Sequence, residues 1–286
     1  MTGEPLAQQK DASMRQPAET YRVAILTHQR PKALAERTLT FLSSTSVDPD
    51  RITIFVNSTD PYIDAYGDVA KAFNVALHPM PVEGIGEARK YVTEHYPEGT
   101  PVVQLDDDIT ELSVVTPDGK KTRPQKNLDR FFTRMFKETA DRGLYVWGVA
   151  PVPNHFFLKP KQLSESLKFV IYTFCGYYAR PGHPVHDTHL RTKEDYDFSL
   201  RAWWYDGAVL RHDGAAPKAD HYKLPGGAVS YRSYEIETES ANTLLATWPG
   251  LIRLNTKRKS GYPEVSLNPR KRHAGNSVDT PPPGLS

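Results

Sequence analysis

Three consecutive aspartates, Asp106, Asp107 and Asp108, directly follow an apolar run at residues 101–105. The run predicts a buried strand that ends in a cluster of negative charge. Carboxylates one residue apart can share a hard divalent cation, whose remaining coordination positions are free for phosphate oxygens. Aspartate is also favoured in turns and at helix caps, so a plain turn cluster is the alternative interpretation.

A second acidic group lies where a helix is expected to begin. Thr192 is the expected N-cap and Lys193 the first helical residue, and Glu194, Asp195 and Asp197 follow in the first turn. Acidic side chains in a first turn are stabilised by the helix macrodipole without any catalytic role. The position of these acids in the sequence therefore does not by itself indicate a catalytic role.

The first half of the chain alternates between strand and helix patterns. Apolar runs predict strands at residues 22–26, 52–56, 75–77 and 101–105, and helices are expected at 32–42 and from about 85 to 95. Such alternation predicts an α/β fold with a Rossmann-like, mostly parallel sheet flanked by helices. Ligands of such sheets bind beyond the carboxyl ends of the strands, which is where the aspartates lie.

The second half is less regular and predicts a mixed sheet. Strands are expected at residues 112–115, 145–149, 168–178 and 207–211, and helices at 127–142, from 193 onward and at 233–248. A loop is expected from Thr256 onward. We expect a disordered leader at 1–20, one domain at 21–255 with halves 21–116 and 117–255, and a basic segment with a disordered tail at 256–286.

Composition is typical of a globular protein. The chain has 286 residues, 38% of them hydrophobic and 24% charged, and no apolar run approaches the ~20 residues that a membrane span requires. The N-terminus has no apolar signal-peptide core, so we expect a cytoplasmic protein without a membrane partner. Cys175, the single cysteine, lies in an apolar run and is expected in the core.

Charge is uneven along the chain. Seven basic residues between Arg253 and His273 stand against Glu264 alone, a balance of +6 in a chain whose net charge is +2. Such a segment is typical of a polyanion-binding surface, although a solubility tail is the commoner reason for a charge run. The residues expected to contact a polyanion are Lys257, Arg258, Lys259, Arg270, Lys271 and Arg272.

Five short motifs together resemble the GT-A class of glycosyltransferases that use nucleotide sugars. They are the strand and loop at 25–30, the strand ending at Asn57, the run Gly84-Ile85-Gly86-Glu87-Ala88-Arg89, the aspartate triplet as a DxD element, and Lys193-Glu194-Asp195 as an acceptor-side acidic motif. The resemblance covers roughly residues 20–230. It implies a UDP-sugar donor and a divalent cation, Mn²⁺ or Mg²⁺.

The resemblance implies roles for individual residues. Asp106 and Asp108 would bind the metal, with His221 as third ligand and His212 as the alternative. Because strand side chains alternate, Asp107 should point elsewhere, towards a ribose hydroxyl or Arg89. The residues expected to contact the nucleotide are Thr27, Arg30, Asn57, Gly86, Arg89, Asp106 and Asp107.

An acceptor hydroxyl must lose its proton as it attacks, and a carboxylate within hydrogen-bond reach is the simplest general base. Asp195 is the first choice, followed by Glu194 and then Asp197. If the reaction retains configuration, these acids would orient the acceptor instead.

More narrowly, residues 213–227 and the basic C-terminal segment resemble the DNA-modifying branch of this class, which includes the phage TET-associated glycosyltransferases and the base J glucosyltransferase. That resemblance implies double-stranded DNA carrying a hydroxymethylpyrimidine, such as 5-hydroxymethylcytosine, as acceptor. Tyr177, Tyr178 and Tyr262 are then candidates for stacking on an exposed base. The alternatives are transfer to a protein, lipid or small molecule, and a non-catalytic nucleotide- or polyanion-binding protein.

Overall fold

The computed structural model describes residues 20–219, 232–257 and 260–285. Most of the expected leader, together with His221, Arg258 and Lys259, lies outside the described residues. The strands are β1 (Arg22–Leu26), β2 (Ile52–Asn57), β3 (Ala76–Met80), β4 (Pro101–Asp106), β5 (Ile109–Val115), β6 (Thr122–Pro124), β7 (Val146–Val149), β8 (Leu163–Ser166), β9 (Phe174–Tyr178), β10 (Val209–His212), β11 (Ala215–Ala219), β12 (Ile252–Leu254) and β13 (Val265–Leu267).

The helices are α1 (Pro31–Leu34), which continues through a π-helical turn (Ala35–Leu39) into α2 (Thr40–Ser43), then α3 (Ile63–Phe73), α4 (Ile85–His95), α5 (Leu128–Asp141), α6 (Glu194–Asp206) and α7 (Tyr234–Thr247). A 3₁₀ turn (Pro49–Arg51) precedes β2. Within the described part of the chain, no helix is both long and apolar enough to cross a membrane.

A central sheet carries most of the core. Among the described residues it has eight strands in the order β3-β2-β1-β4-β9-β7-β10-β8. The pairs β3–β2, β2–β1, β1–β4 and β7–β10 are parallel, whereas β9 is antiparallel to both neighbours and β8 to β10. Because β9 reverses between β4 and β7, the strands β1, β2, β4, β7 and β10 all end at the same edge of the sheet.

The apolar runs form central strands because helices cover both faces of the sheet. Four of the five residues of β1 and the first five of β4 are buried, as expected for parallel strands without a solvent face. Helix α5 buries Phe131, Phe132, Met135 and Phe136, and its ring contacts with Trp147 tie it to β7. The mostly parallel, Rossmann-like architecture with a mixed second half is confirmed.

A second sheet begins directly after the aspartates. Its order is β11-β5-β6, and β5 starts at Ile109, one residue after Asp108. The register pairs Ala219 with Ile109 and Ala215 with Val114, so β11 runs back towards the aspartate turn. Strands β6, β8 and β11 were not expected, because they are short and lack an apolar alternation.

One long strand expected at residues 168–178 is wrong. Only Phe174–Tyr178 is a strand, and residues 168–173 are irregular. Ser199 Oγ accepts a hydrogen bond from Val170 N at 2.8 Å, and the Val170 side chain fills the space beside Gly148. At Val170 the backbone N–H therefore bonds to a helix side chain, Ser199, and not to a neighbouring strand.

The expected loop and disordered tail after Thr256 are also wrong for much of that segment. Strand β13 pairs with β12, and Gly207 O at the end of α6 accepts a hydrogen bond from His273 N at 3.0 Å. Farther on, Gly284 N donates to Thr247 O at 2.9 Å. The tail packs because Trp203 and Trp204 on α6 provide backbone and indole hydrogen-bonding partners for it.

Candidate active site

Polar side chains from several strands gather where those strands end. Thr27 follows β1, Asn57 ends β2 and Asp106 ends β4, and the register places Leu26 beside both Phe55 and Asp106. The carboxyl ends of neighbouring parallel strands thus bring residues about 80 positions apart in sequence to one edge. That edge is the usual ligand-binding place of an open α/β sheet.

Asp107 is held by residues of the first loop. Its Oδ2 accepts from Thr27 Oγ1 at 2.7 Å, and its Oδ1 accepts from Arg30 Nη1 at 3.2 Å. Burial raises the pKa of Asp107 to about 7, although Arg30 and Thr27 both act to lower it. Asp108 lies nearby, with its Oδ2 at 3.9 Å from the same Arg30 nitrogen. The first loop is thereby fastened to the aspartate turn.

Asp106 has different partners from Asp107. Its Oδ1 accepts from Arg89 Nη2 at 3.2 Å and its Oδ2 accepts from Thr173 Oγ1 at 2.9 Å. Thr38 secures the turn itself, because its hydroxyl donates to Asp106 O and accepts from Ile109 N. The expectation that Arg89 could face Asp107 is therefore wrong, since the guanidinium pairs with Asp106.

Arg89 connects the aspartate triplet with the acceptor-side acids. Its Nε donates to Glu194 Oε1 at 3.0 Å while Nη2 donates to Asp106, and the guanidinium lies 4.4 Å above the Tyr172 ring. Burial alone would lower the pKa of Arg89, but the two carboxylates raise it above its ordinary value. A permanently charged arginine is therefore fixed between two motifs that are 88 positions apart in sequence.

Asp195 lies next to this bridge in the first turn of α6. Burial raises its pKa to about 8, with the neighbouring Glu194 charge adding to the effect and Arg89 opposing it. The residue is still half-buried rather than enclosed, so water can reach the cleft at this point. A carboxyl group with a pKa near neutrality is suited to accept a proton during a reaction.

Helix α6 begins one residue later than expected. The N-cap is Lys193, in a left-handed conformation with φ 63°, and no side chain caps the helix. Thr192 is therefore not the cap. The left-handed residue turns the chain so that the Lys193 ammonium pairs with buried Glu237 on α7 while Glu194 and Asp195 enter the cleft.

Asp197, the third choice as base, has a structural role. It accepts hydrogen bonds from Asp187 N at 2.6 Å and from Arg201 Nε at 2.7 Å, and it also binds the Trp248 indole. Its side chain is 1% exposed, so a substrate hydroxyl cannot reach it. Asp197 is excluded as a base in this conformation.

The two candidates for a third metal ligand occupy different places along the chain. His212 ends β10 and precedes β11, at the end of the ladder that is remote from Asp108. It is buried against Phe131, and its Nδ1 accepts from Gly214 N. His212 is therefore not brought to the aspartates. His221 lies outside the described residues, so its role as a metal ligand stays a prediction.

Within residues 20–219, 232–257 and 260–285, no three His, Cys, Asp or Glu side chains form a ready-made metal site. The cleft nevertheless combines five acids with only two arginines, namely Asp106, Asp107, Asp108, Glu194 and Asp195 with Arg30 and Arg89. These hard oxygen ligands outnumber the arginines, which fits a divalent cation completed by a further ligand.

Asn57 and Gly86 both have roles in local structure. The Asn57 amide donates to Val82 O at 2.6 Å and accepts from Thr59 N at 2.7 Å, which closes the turn after β2. A Cβ at Gly86 would lie 2.5 Å from Thr188 O, so only glycine lets this loop pack on α4. Nucleotide contact by either residue stays a prediction.

Two of the tyrosines considered for base stacking are buried and cannot contact a base in this conformation. Tyr177 and Tyr178 are each 3% exposed, and their hydroxyls donate to Gln104 Oε1 and Phe136 O. They face the core because β9 is internal to the sheet, covered on both faces. Cys175 on the same strand is fully buried, as expected, and burial raises its pKa. Tyr262 lies under the Arg232 guanidinium at 4.3 Å.

Among the basic C-terminal residues, two arginines bind protein atoms. Arg272 Nη1 pairs with Glu165 at 2.8 Å and its Nη2 donates to Arg142 O, while Arg270 donates to Gly250 O. Lys257 is exposed near the end of β12. The DNA-binding role of this group stays a prediction, and Arg272 has a structural role in addition.

Sequence reasoning missed Thr38, Thr173 and Tyr172. None belongs to a recognisable motif, and their neighbours in the site come from other elements. The only local signal was that Thr173 and Tyr172 fall in the stretch whose strand pattern alternated poorly.

No protein-family model matches this chain, and no curated protein matches it in sequence. Solved structures do resemble it. The S. aureus TarS 1-349 structure aligns over 79% of this chain and 65% of its own length, with 14% identity and a TM-score of 0.50. TarS 1-349 in complex with UDP-GlcNAc aligns over 79% and 66%, with 13% identity and a TM-score of 0.52.

The longer S. aureus TarS structure aligns over 79% of this chain and 40% of its own length, with 13% identity and a TM-score of 0.50. This chain thus spans less than two thirds of each TarS chain. At such identities the likeness concerns the fold, and it confirms the predicted GT-A architecture: an α/β domain whose large, mostly parallel sheet presents the aspartate turn at its edge.

Proposed function

We propose that this chain is a metal-dependent glycosyltransferase that moves a sugar from a UDP-sugar to the hydroxymethyl group of a modified pyrimidine in DNA. The observation that carries the reaction class is the Arg89 bridge between Asp106 and Glu194. It unites the donor-side triplet and the acceptor-side acid pair in one cleft. The fold shared with a chain crystallised with UDP-GlcNAc supports the donor class.

On this proposal Asp106 and Asp108, with a ligand such as His221, hold the divalent cation. When bound, the cation would act as a Lewis acid that offsets charge on the departing diphosphate. Arg89 Nη1 is buried and has no acceptor among the described residues, so a phosphate oxygen of the donor could accept its hydrogen bond. Thr27 and Arg30 hold Asp107 and so keep the first loop closed around the nucleotide.

Asp195 would accept the proton of the attacking hydroxyl. Its raised pKa makes it a stronger base than an ordinary aspartate once it is ionised. Glu194, paired with Arg89, positions the turn that carries Asp195 and is a positioning residue rather than the base. The acceptor therefore approaches from the side of α6.

The DNA acceptor is supported by what surrounds α6. Tyr196 Oη donates to Val265 O at 3.1 Å, which places the β12–β13 hairpin against the first turn of the helix. Tyr262, in the loop between β12 and β13, lies under the Arg232 guanidinium at 4.3 Å. Arg232 and Lys193 both pair with Glu237, so this loop, the hairpin tip, lies near the start of α6. Lys257 is exposed in that tip, and Arg258 and Lys259 follow it in the sequence. On this proposal the three basic side chains contact the phosphates of an acceptor strand.

The experiment that tests this function offers labelled UDP-glucose, UDP-GlcNAc and UDP-galactose, each with Mn²⁺, to DNA duplexes with and without 5-hydroxymethylcytosine. We expect label in the modified duplex alone. Label in water alone, or transfer only to protein, lipid or small-molecule acceptors added in parallel, would rule out the DNA acceptor and retain the glycosyltransferase. No turnover of any donor would contradict both.

The hairpin tip yields a separate prediction. Replacing Lys257, Arg258 and Lys259 by alanine should flatten the dependence of log duplex affinity on log salt by ~0.9 per lost phosphate contact. The matched control removes three exposed helix lysines, Lys32, Lys71 and Lys137, and should leave the slope unchanged. Fluorescence anisotropy from about 50 to 200 mM salt measures both, and equal slopes would assign the tip a solubility role.

A further inference from the structure

Two adjacent phenylalanines project from the loop that follows β7. Phe156 is 81% exposed and Phe157 is 71% exposed. The turn is ordered by Asn154, whose Oδ1 accepts from Phe156 N and whose C=O accepts from Phe157 N at 3.0 Å. The next residue, Leu158, is buried in a small cluster with Val115. The loop is thus anchored at its apolar residue and keeps both rings in solvent.

Four exposed lysines lie on the loop that carries these rings or on the turn that packs against it. Lys159 and Lys161 lie on the same loop, and Lys120 and Lys121 lie on the turn between β5 and β6. The two segments touch, since a Cβ at Gly119 would be 3.9 Å from Pro160 Cγ. Lys159 N also donates to Asp213 O at 2.9 Å, which fixes the loop beside β11.

The loop patch is defined as Lys120, Lys121, Phe156, Phe157, Lys159 and Lys161. No salt bridge joins any of its four lysines to a carboxylate of the described residues. Asp118 is the one acidic residue in the two segments at 116–121 and 150–162, and it accepts from Thr116 Oγ1. The patch is therefore strongly positive around an aromatic centre.

A site for single-stranded nucleic acid combines exposed aromatic rings with basic side chains. The bases stack on the rings, and the phosphates bind the basic side chains. Two side chains are too little apolar surface for a stable protein interface, which buries roughly 800 Å² on each partner. We infer that the loop patch binds unpaired nucleotides of a nucleic-acid strand.

The patch lies on the same second sheet as the aspartate turn. Strand β5 leads from Ile109, next to Asp108, to Val115, next to the patch, a path of roughly 20 Å at ~3.3 Å per residue. Several nucleotides of one strand cover that length. The inference deepens the proposed function and rests on it in one respect, because it takes the bound strand to be the acceptor strand.

The test measures anisotropy of a labelled, unmodified 12-nucleotide single strand with the full chain, without metal or UDP-sugar. Lys120→Ala/Lys121→Ala/Lys159→Ala/Lys161→Ala should weaken binding at least about tenfold and flatten the salt slope by ~0.7 per lost phosphate contact. The matched control replaces four helix lysines, Lys32, Lys71, Lys90 and Lys137, and should stay within about twofold of the parent. An unchanged affinity of the patch variant would overturn the inference.

Phe156→Ala/Phe157→Ala separates nucleotide binding from general polyanion binding. Base stacking is worth ~1–3 kcal/mol per base, so this variant should bind the single strand about 5- to 150-fold more weakly with an unchanged salt slope. Its binding to inorganic polyphosphate should be unaffected. If the Phe variant lost nothing, and polyphosphate competed as well as DNA, the patch would be a generic polyanion surface and the inference wrong.

This test and the test of the proposed function fail independently. Asp108→Asn should bind the unmodified strand like the parent protein, because no donor or metal is present. Both patch variants could bind the strand normally and transfer sugar to a long modified strand normally at every concentration. That result would reject the proposed role of the loop patch and leave the glycosyltransferase proposal unaffected. If the parent protein transferred no sugar but its binding of the strand depended on the loop patch, the glycosyltransferase proposal would be rejected and the inference about the patch retained.

Discussion

Replacing Asp108 by asparagine should reduce sugar transfer by at least about 10³-fold. A cation that stabilises a departing diphosphate supplies several kcal/mol, and each ~1.4 kcal/mol is a factor of ten in rate. Metal-dependent UDP binding, measured by calorimetry with and without Mn²⁺, should be lost in the same variant. The fold should persist, because Asp108 lies in a turn that Thr38 secures through its neighbours.

Asp68→Asn is the matched control, since Asp68 is an exposed aspartate on α3 away from the cleft. It should transfer sugar at the parent rate. Thermal melting of both variants shows whether any loss of rate reflects unfolding. A fully active Asp108→Asn enzyme, or full activity of the parent protein after exhaustive EDTA treatment, would refute the metal site.

Asp195→Asn should lower kcat by ~10²–10⁴ with little change in donor affinity, the usual cost of losing a general base. The structure also predicts its effect on stability. The pKa of Asp195 is raised to about 8 from its ordinary 3.8, so between these values the folded chain holds a proton that the unfolded chain releases. The contribution of Asp195 to the stability of the parent therefore falls as pH rises from about 4 to about 8.

Asparagine cannot ionise, so Asp195→Asn should melt at the same temperature as the parent or higher at pH 8. The parent should also gain activity as pH rises towards 8, and a donor-saturated pH profile of kcat measures this. Glu235→Gln, which removes an exposed acid from the first turn of α7, is the control for a helix-end effect and should retain its turnover. If Asp195→Asn melted at a lower temperature than the parent but kept a normal kcat, Asp195 would only stabilise the helix end and would not be the base.

Three strands of the first half were predictable because they are mostly apolar. Nearly all of residues 22–26, 52–56 and 101–105 are buried, and such apolar runs predict a strand without knowledge of the neighbouring strands. Helix α5 was equally visible from its apolar spacing. Strands β6, β8, β11 and β13 were not, because each is short and takes its identity from a neighbouring strand.

The candidate site shows the same division. The aspartate triplet, Arg89 and the Glu194–Asp195 pair stood out as residue types at particular places in predicted elements. The sequence did not show which acid Arg89 pairs with. Strand alternation predicted only that Asp107 points away from Asp106 and Asp108, towards a ribose hydroxyl or Arg89. The turn after β4 rotates Asp107 towards Thr27 and Arg30 instead, and leaves Asp106 to Arg89.

By itself, the sequence determined the α/β alternation and the set of acids at strand and helix ends, because local apolar patterning and residue chemistry specify these. Tertiary structure alone decided that Arg89 joins Asp106 to Glu194, that Asp195 has a raised pKa, and that the lysine-bearing turn after β5 packs against the loop of Phe156. Each depends on groups far apart in sequence, whose charge and burial act on one another only once the sheet has brought them together.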